Sequence, residues 1–151
     1  MGSKNAAQVT LALSLLLVGG AIYVVMRPPC LLLHQVVAGM GLGGAMTEGR
    51  LLTAGWQLPS WVVYCLPGAL WSAAWLAIID AILVPRTLRR CLQVGAFIPV
   101  LGVGSELMQL MGLLPGTFDV IDAVCYAAPY LAYALIVVHT YKAQYSVSFK
   151  H

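Results

Sequence analysis

The chain has little charge for its length. Only 9% of its 151 residues are Asp, Glu, Lys or Arg, whereas a soluble domain carries about 25%. A surface this poor in charge cannot face water throughout, so the composition excludes an ordinary soluble domain. The net charge of +3 is small and scattered along the sequence, and therefore gives no indication of nucleic-acid binding.

The chain also lacks the common signatures of catalysis. It contains no G-x-x-x-x-G-K-[ST], G-x-G-x-x-G, H-E-x-x-H or G-x-S-x-G motif. Its four cysteines show no C-x-x-C spacing. We therefore expect no metal and no cofactor. An enzyme that uses paired acids as acid and base is the less favoured alternative, and no catalytic residue is identified.

Apolar residues dominate the sequence, at 61% of the chain. A helix crosses the hydrocarbon core of a membrane with about 20 apolar residues, and four stretches are that long. They lie at about 8–26, 61–84, 91–113 and 118–141. The sequence predicts that residues 1–151 form a single all-α integral membrane domain with four transmembrane helices.

The segment at about 30–42 is amphipathic rather than uniformly apolar. On a helical wheel one face carries the larger apolar residues, and the other carries His34, Gln35 and Ala38. This pattern predicts a short helix in the plane of the membrane interface. Four nearby glycines and the polar run 47–50 disfavour the alternative, a fifth crossing.

The basic residues predict the orientation of the four spans. Cytoplasmic loops carry an excess of Lys and Arg. One side of the predicted topology holds six of the eight basic residues, and the other holds Arg27 and Arg50. We therefore expect both termini to be cytoplasmic. Cys30 and Cys65 then face the outer side, where a disulfide between them is an alternative to two free thiols.

The third and fourth predicted spans contain acidic residues in their outer halves. A charged residue inside a span costs about 2.5–3.5 kcal/mol on insertion scales, which makes each one a candidate functional residue. Glu106 and Gln109 share a face of the third span. Asp119 and Asp122 open the fourth span, and Tyr126 continues their stripe. A short turn joins the two spans, so these five residues are expected at similar depth in one outward-facing cluster.

The cluster allows two interpretations. It is either a hydrogen-bonded clamp between two helices or a site for a substrate, a proton or a partner. Thr117 is expected to cap the fourth span, with Asp119 in its first turn. Elsewhere, Asp80 is expected to pair with one of the arginines that follow the second span.

The acidic motifs resemble those of VanZ-like membrane proteins. Glu106-Leu-Met-Gln109 precedes Pro115-Gly116-Thr117-Phe118-Asp119-Val-Ile-Asp122, and the family pairs an E-x-x-Q in one span with a D-x-x-D that opens the next. The stretch 58–71 also looks like short bacterial members. The chain departs from the family at Gly116-Thr117, where many members have Arg, and at Tyr126, where many have Asn.

The resemblance implies a cell-envelope role in the bacterial inner membrane, and the family's namesake is associated with glycopeptide-antibiotic resistance. We expect the cluster to bind or handle an envelope lipid or a lipid-linked glycan. The alternative is a non-catalytic subunit of a larger membrane complex, with the face around Trp71 and Trp75 as a helix-docking surface. The expected partners are membrane lipids, with a homo-oligomer or a hetero-complex of membrane proteins as alternatives, and no nucleic acid.

Overall fold

The computed structural model describes residues 3–27, 32–114 and 117–148, and all regular structure in these ranges is helical. Three segments are long and apolar enough to cross a membrane, namely Lys4–Met26, Leu88–Leu110 and Val120–Ala143. The all-α class is thereby confirmed, and the three long apolar segments are compatible with the predicted membrane protein. The helices are α1 Ser3–Met26, α2 Leu32–Val37, a π-helical turn Ala38–Leu42, α3 Gly43–Thr53, α4 Ser60–Tyr64, α5 Leu66–Ile82, α6 Leu88–Gly95, α7 Phe97–Leu110 and α8 Val120–Ser148.

The second predicted span is divided at Cys65 into α4 and α5. The cause is Pro67, which has no N–H and therefore leaves the carbonyl of Val63 without its helical donor. Arg27 Nε donates to this carbonyl at 3.4 Å. Backbone hydrogen bonds continue through the junction, from Cys65 to Trp61 at 3.0 Å. The longest helix in this region, α5, has 17 residues.

The third span begins earlier than the sequence predicts. Thr87 caps α6, and its side chain accepts a hydrogen bond from the Arg90 amide at 3.3 Å. A turn at Ala96 separates α6 from α7, three residues before the buried Pro99 that α7 contains. The two helices together form the membrane-long segment Leu88–Leu110.

The region after α1 is more helical than the sequence predicts. The expected helix at about 30–42 is present from Leu32 onward, but a bend at Gly41, with φ of +82°, leads into α3. Only glycine adopts this backbone conformation without strain. The polar run 47–50 is part of α3, an 11-residue helix that is not among the membrane-long segments of the described residues.

His34 also departs from the predicted pattern. The amphipathic interpretation places it on the solvent face, but its side chain is only 1% exposed, while Met40 is 70% exposed. His34 Nε2 lies 2.8 Å from the Val24 carbonyl oxygen. A carbonyl at the end of α1 has no helical donor, and this unmet acceptor draws the imidazole inward.

Helix α5 packs against α1 on one side and α8 on another, and α8 packs against α7. The buried apolar residues of the centre are small or medium in size, among them Ala74, Leu76 and Ile79 of α5. Tyr126 of α8 lies at the meeting point of α5, α7 and α8, because its ring contacts both Gly68 and Gly102.

Asp80 joins three elements near the opposite end of α5. It accepts hydrogen bonds from Gln8 of α1 and from Arg86 of the α5–α6 loop. The hydroxyl of Tyr133 on α8 lies 3.5 Å from the same carboxylate. The predicted pairing of Asp80 with an arginine is therefore confirmed, and Arg86 is the partner.

Candidate functional site

The α7–α8 connection brings Glu106 against the start of α8. Glu106 is only 5% exposed, and its Oε2 accepts a hydrogen bond from the Asp119 amide at 3.2 Å. Asp119 Oδ1 accepts from the Ile121 amide at 2.8 Å, the bond of an N-cap. Asp119 is thus the cap, and the prediction that Thr117 caps the helix is wrong. The positive N-terminal end of the helix dipole stabilises a negatively charged carboxylate more than a neutral hydroxyl.

Asp122 lies one turn further along α8 and is incompletely paired. Its Oδ1 is buried and makes no hydrogen bond to the described residues. The Sγ of Cys65 and one carboxylate oxygen each of Asp119 and Asp122 lie within 4.8 Å of one another. The α4–α5 junction therefore contributes a thiol to the acidic cluster. Sequence analysis missed Cys65 because it comes from a different span and carries no motif.

Tyr126 forms a wall of this cluster rather than a free ligand group. A Cβ built on Gly68 would lie 2.9 Å from Tyr126 Cζ, and one built on Gly102 would overlap the ring. The two glycines let α5 and α7 approach the ring from both sides. Gln109 is half-buried. Its side chain makes no hydrogen bond to the cluster in the described part of the chain.

Arg27 is the cationic residue that lies next to the start of α5, near the acidic cluster. Its guanidinium donates to the carbonyls of Val63 and Tyr64. It also lies 4.7 Å from the ring centroid of Tyr23 and 5.1 Å from that of Tyr64. These partners occupy Arg27 with carbonyls and aromatic faces, so it does not neutralise the acids directly.

Arg50 holds the chain around Arg27 in place. Its Nη1 donates to the carbonyls of Arg27 and Val24, the latter at 3.2 Å. Since His34 contacts the same Val24 carbonyl, two side chains from the α2–α3 region cap the end of α1. The sequence offered no spacing that would connect positions 34 and 50 with this helix end.

The acidic cluster has no ion pair among the residues that the structure describes. The single ion pair in the described part of the chain joins Arg86 to Asp80, at the other end of α5. Glu106, Asp119 and Asp122 therefore present carboxylate oxygens whose natural partners are hydroxyl or amine donors, or a cation. Among the described residues, Cys65, Asp119 and Asp122 bring three ligand atoms close enough together to hold a metal ion, which the sequence analysis did not anticipate.

An apolar groove lies between α7 and α8, the two helices that also carry Glu106 and Asp122. It has a volume of about 320 Å³, and carbon atoms line it throughout. Leu107, the neighbour of Glu106, borders one part of it, and Pro99 and Leu131 border another. Helices α7 and α8 thus carry both polar acceptors and an adjoining apolar surface.

No family model, curated protein or solved structure matches this chain.

Proposed function

We propose that the chain crosses the bacterial inner membrane four times with both termini in the cytoplasm. The three membrane-long segments supply three crossings. The second crossing is formed by α4 and α5 together, residues 60–82, which would extend about 34 Å at 1.5 Å per residue. The excess of basic residues near the termini, in the α5–α6 loop and in the first turn of α6 supports this orientation. The helix pair α2–α3 then lies at the outer interface.

We propose that this VanZ-like chain has a cell-envelope role, in which it binds or handles an envelope lipid or a lipid-linked glycan. The ligand headgroup contacts the outward-facing cluster of Glu106, Asp119, Asp122 and Cys65. Gln109 and Tyr126 shape the site without direct bonds to the acids. A role in resistance to glycopeptide antibiotics belongs to the same proposal, since the resemblance to VanZ-like proteins implies it.

The unpaired oxygen of Asp122 is the observation that carries this proposal. A buried polar atom without a partner costs roughly 1–3 kcal/mol, and most buried polar atoms in folded proteins have a partner. Asp122 Oδ1 is buried and unpaired in the part of the chain that the structure describes. A hydroxyl or amine of a bound headgroup would supply the missing donor.

The acids differ in their hydrogen bonding, and this difference supports a binding site over a clamp alone. Glu106 ties the α7–α8 connection through the Asp119 amide, as a clamp would. Asp122 makes no such bond through Oδ1. Asp119 is exposed, so the cluster is accessible from the surface. The apolar groove between α7 and α8 offers a place for a lipid chain next to it.

The packing of the two tryptophans makes the subunit alternative less favourable. Trp71 contacts the ring of Tyr23 at a centroid distance of 5.4 Å. Trp75 donates to the Val94 carbonyl at 3.0 Å and packs on Phe97. Both residues thus make contacts within the chain, which leaves less of this face for a partner helix.

Native mass spectrometry of the protein, released from its own membranes in polymer-bounded lipid discs, tests the proposal. We expect the wild type to retain an envelope lipid or lipid-linked glycan, and Asp122→Asn to lose it. Glu48→Gln is the matched control, because Glu48 is an exposed carboxylate on α3, away from the cluster. Retention by Asp122→Asn would refute the proposal, and stoichiometric masses of other proteins would establish the subunit alternative.

A further inference from the structure

A cavity bordered by cationic side chains lies at the opposite end of the helices from the acidic cluster. It has a volume of about 520 Å³ and is formed where the α5–α6 loop meets α8. Its lining residues are Arg86, Thr87, Leu88, Arg89, Tyr141 and Lys142. Three of the six are cations and none is acidic, so the cavity attracts anions.

The charge of this cavity is only partly neutralised. Asp80 pairs with Arg86 from the side of α5. Arg89 and Lys142 are exposed and form no ion pair with the described residues. Partial burial acts to lower the pKa of Arg86, but the Asp80 carboxylate, Cys91 and Tyr133 together raise it above its ordinary value, so Arg86 remains charged. At least two positive charges are therefore available to a ligand.

The backbone around the cavity also favours anions, and one of its carbonyls takes part in a hydrogen bond that stabilises the cavity's shape. Helix α6 begins at Leu88, so its positive N-terminal end borders the cavity. The hydroxyl of Tyr141 donates to the Arg86 carbonyl at 2.6 Å, which fastens α8 to the loop. The cationic side chains thus line a cavity whose shape is stabilised by the hydrogen bond between Tyr141 and Arg86.

Apolar surface continues from the cationic cavity into the helix bundle. Arg86 also borders a cavity of about 390 Å³ between α1, α5 and α8, whose lining is mostly aliphatic and includes Leu11 and Ile136. A third cavity, of about 350 Å³, connects Arg86 and Tyr141 to Val137. Cations beside an aliphatic groove at the end of membrane-long helices match an amphiphile with an anionic head.

We propose that the cavity around Arg86, Arg89 and Lys142 binds the phosphate headgroup of an anionic membrane phospholipid. The guanidinium of Arg89 and the ammonium of Lys142 form charge-assisted hydrogen bonds to the phosphate oxygens. One acyl chain follows the aliphatic surface next to Arg86. Basic pockets between helix ends are a general means of recognising anionic lipids. This site shares no residue with the acidic cluster and stands or falls independently of it.

The test measures binding of phosphatidylglycerol and phosphatidylcholine to the purified full chain in detergent by native mass spectrometry. We expect phosphatidylglycerol to bind at least about tenfold more tightly, and Arg89→Gln combined with Lys142→Gln to remove that preference. Arg90→Gln is the matched control, because Arg90 is an exposed cation one residue away that does not line the cavity. We expect it to change the affinity less than about twofold.

Three outcomes would overturn the proposal. Equal affinity for the two lipids would show that the headgroup charge is not recognised. An equal loss in Arg90→Gln and in the double variant would indicate diffuse surface attraction. Competition by inorganic phosphate or glycerol 3-phosphate as effective as by phosphatidylglycerol would assign the cavity to a soluble anion. Circular dichroism of each variant establishes that the fold is retained, and Lys142→Gln alone serves if the double variant fails to fold.

Discussion

The contact between Tyr126 and Gly102 predicts a large difference between two neighbouring alanine substitutions on α7. A Cβ at position 102 would overlap Cγ, Cδ1 and Cδ2 of the ring. These atoms lie close to the backbone of α8, so a side-chain rotation cannot remove the overlap. Overpacking of this kind costs about 1–3 kcal/mol. Gly104 has no atom within 4 Å of its added Cβ, and there alanine gains up to about 1 kcal/mol of helix propensity.

We therefore expect Gly102→Ala to be less stable than Gly104→Ala by about 1–3 kcal/mol, the overpacking cost alone, because both positions lie inside α7 and gain the same helix propensity. Reversible unfolding in mixed micelles, followed by circular dichroism, measures the difference. In the Tyr126→Ala background, Gly102→Ala should cost much less than it costs in the wild type, because the ring that causes the overlap is absent. Equal stability of the two glycine variants would refute the packing described here.

Two further substitutions test contacts of the bundle, and both are measured by the same unfolding assay. Trp75→Phe should cost about 1–3 kcal/mol, since it removes the hydrogen bond to the Val94 carbonyl and leaves a void; an unchanged free energy of unfolding would contradict this contact. Tyr130→Phe removes only the hydroxyl that donates to the Leu92 carbonyl at 3.1 Å, so we expect a loss of about 0.5–1.5 kcal/mol. A loss larger than that of Trp75→Phe would contradict the assignment.

The long apolar segments could be predicted from the sequence, whereas the details at their ends could not. Hydrophobic length alone locates α1, the α6–α7 segment and α8, because a spanning helix must be apolar along its whole length. The break at Cys65 depends on Pro67 and on where Arg27 lies. The helical state of 47–50 depends on contacts with α1, such as that of Gly49 with Val25.

The candidate site shows the same limit. The E-x-x-Q and D-x-x-D spacings correctly placed Glu106 and Asp119 in contact, because a short turn forces them together. Cys65 and Arg27 come from other helices, and no pattern within one segment can report an approach between distant ones. His34 was placed on the wrong face because hydrophobic periodicity registers polarity but not an unsatisfied carbonyl, here that of Val24.

Photocrosslinking in intact cells tests most directly whether the acidic cluster binds a lipid. Thr117 is exposed and lies two residues before Asp119, so a photoreactive amino acid in its place samples the entrance to the cluster. We predict an adduct with the mass of an envelope lipid or lipid-linked glycan, strongly reduced by Asp122→Asn and absent when the same probe replaces Glu48. Adducts with other proteins alone, or a lipid adduct unaffected by Asp122→Asn, would contradict this account.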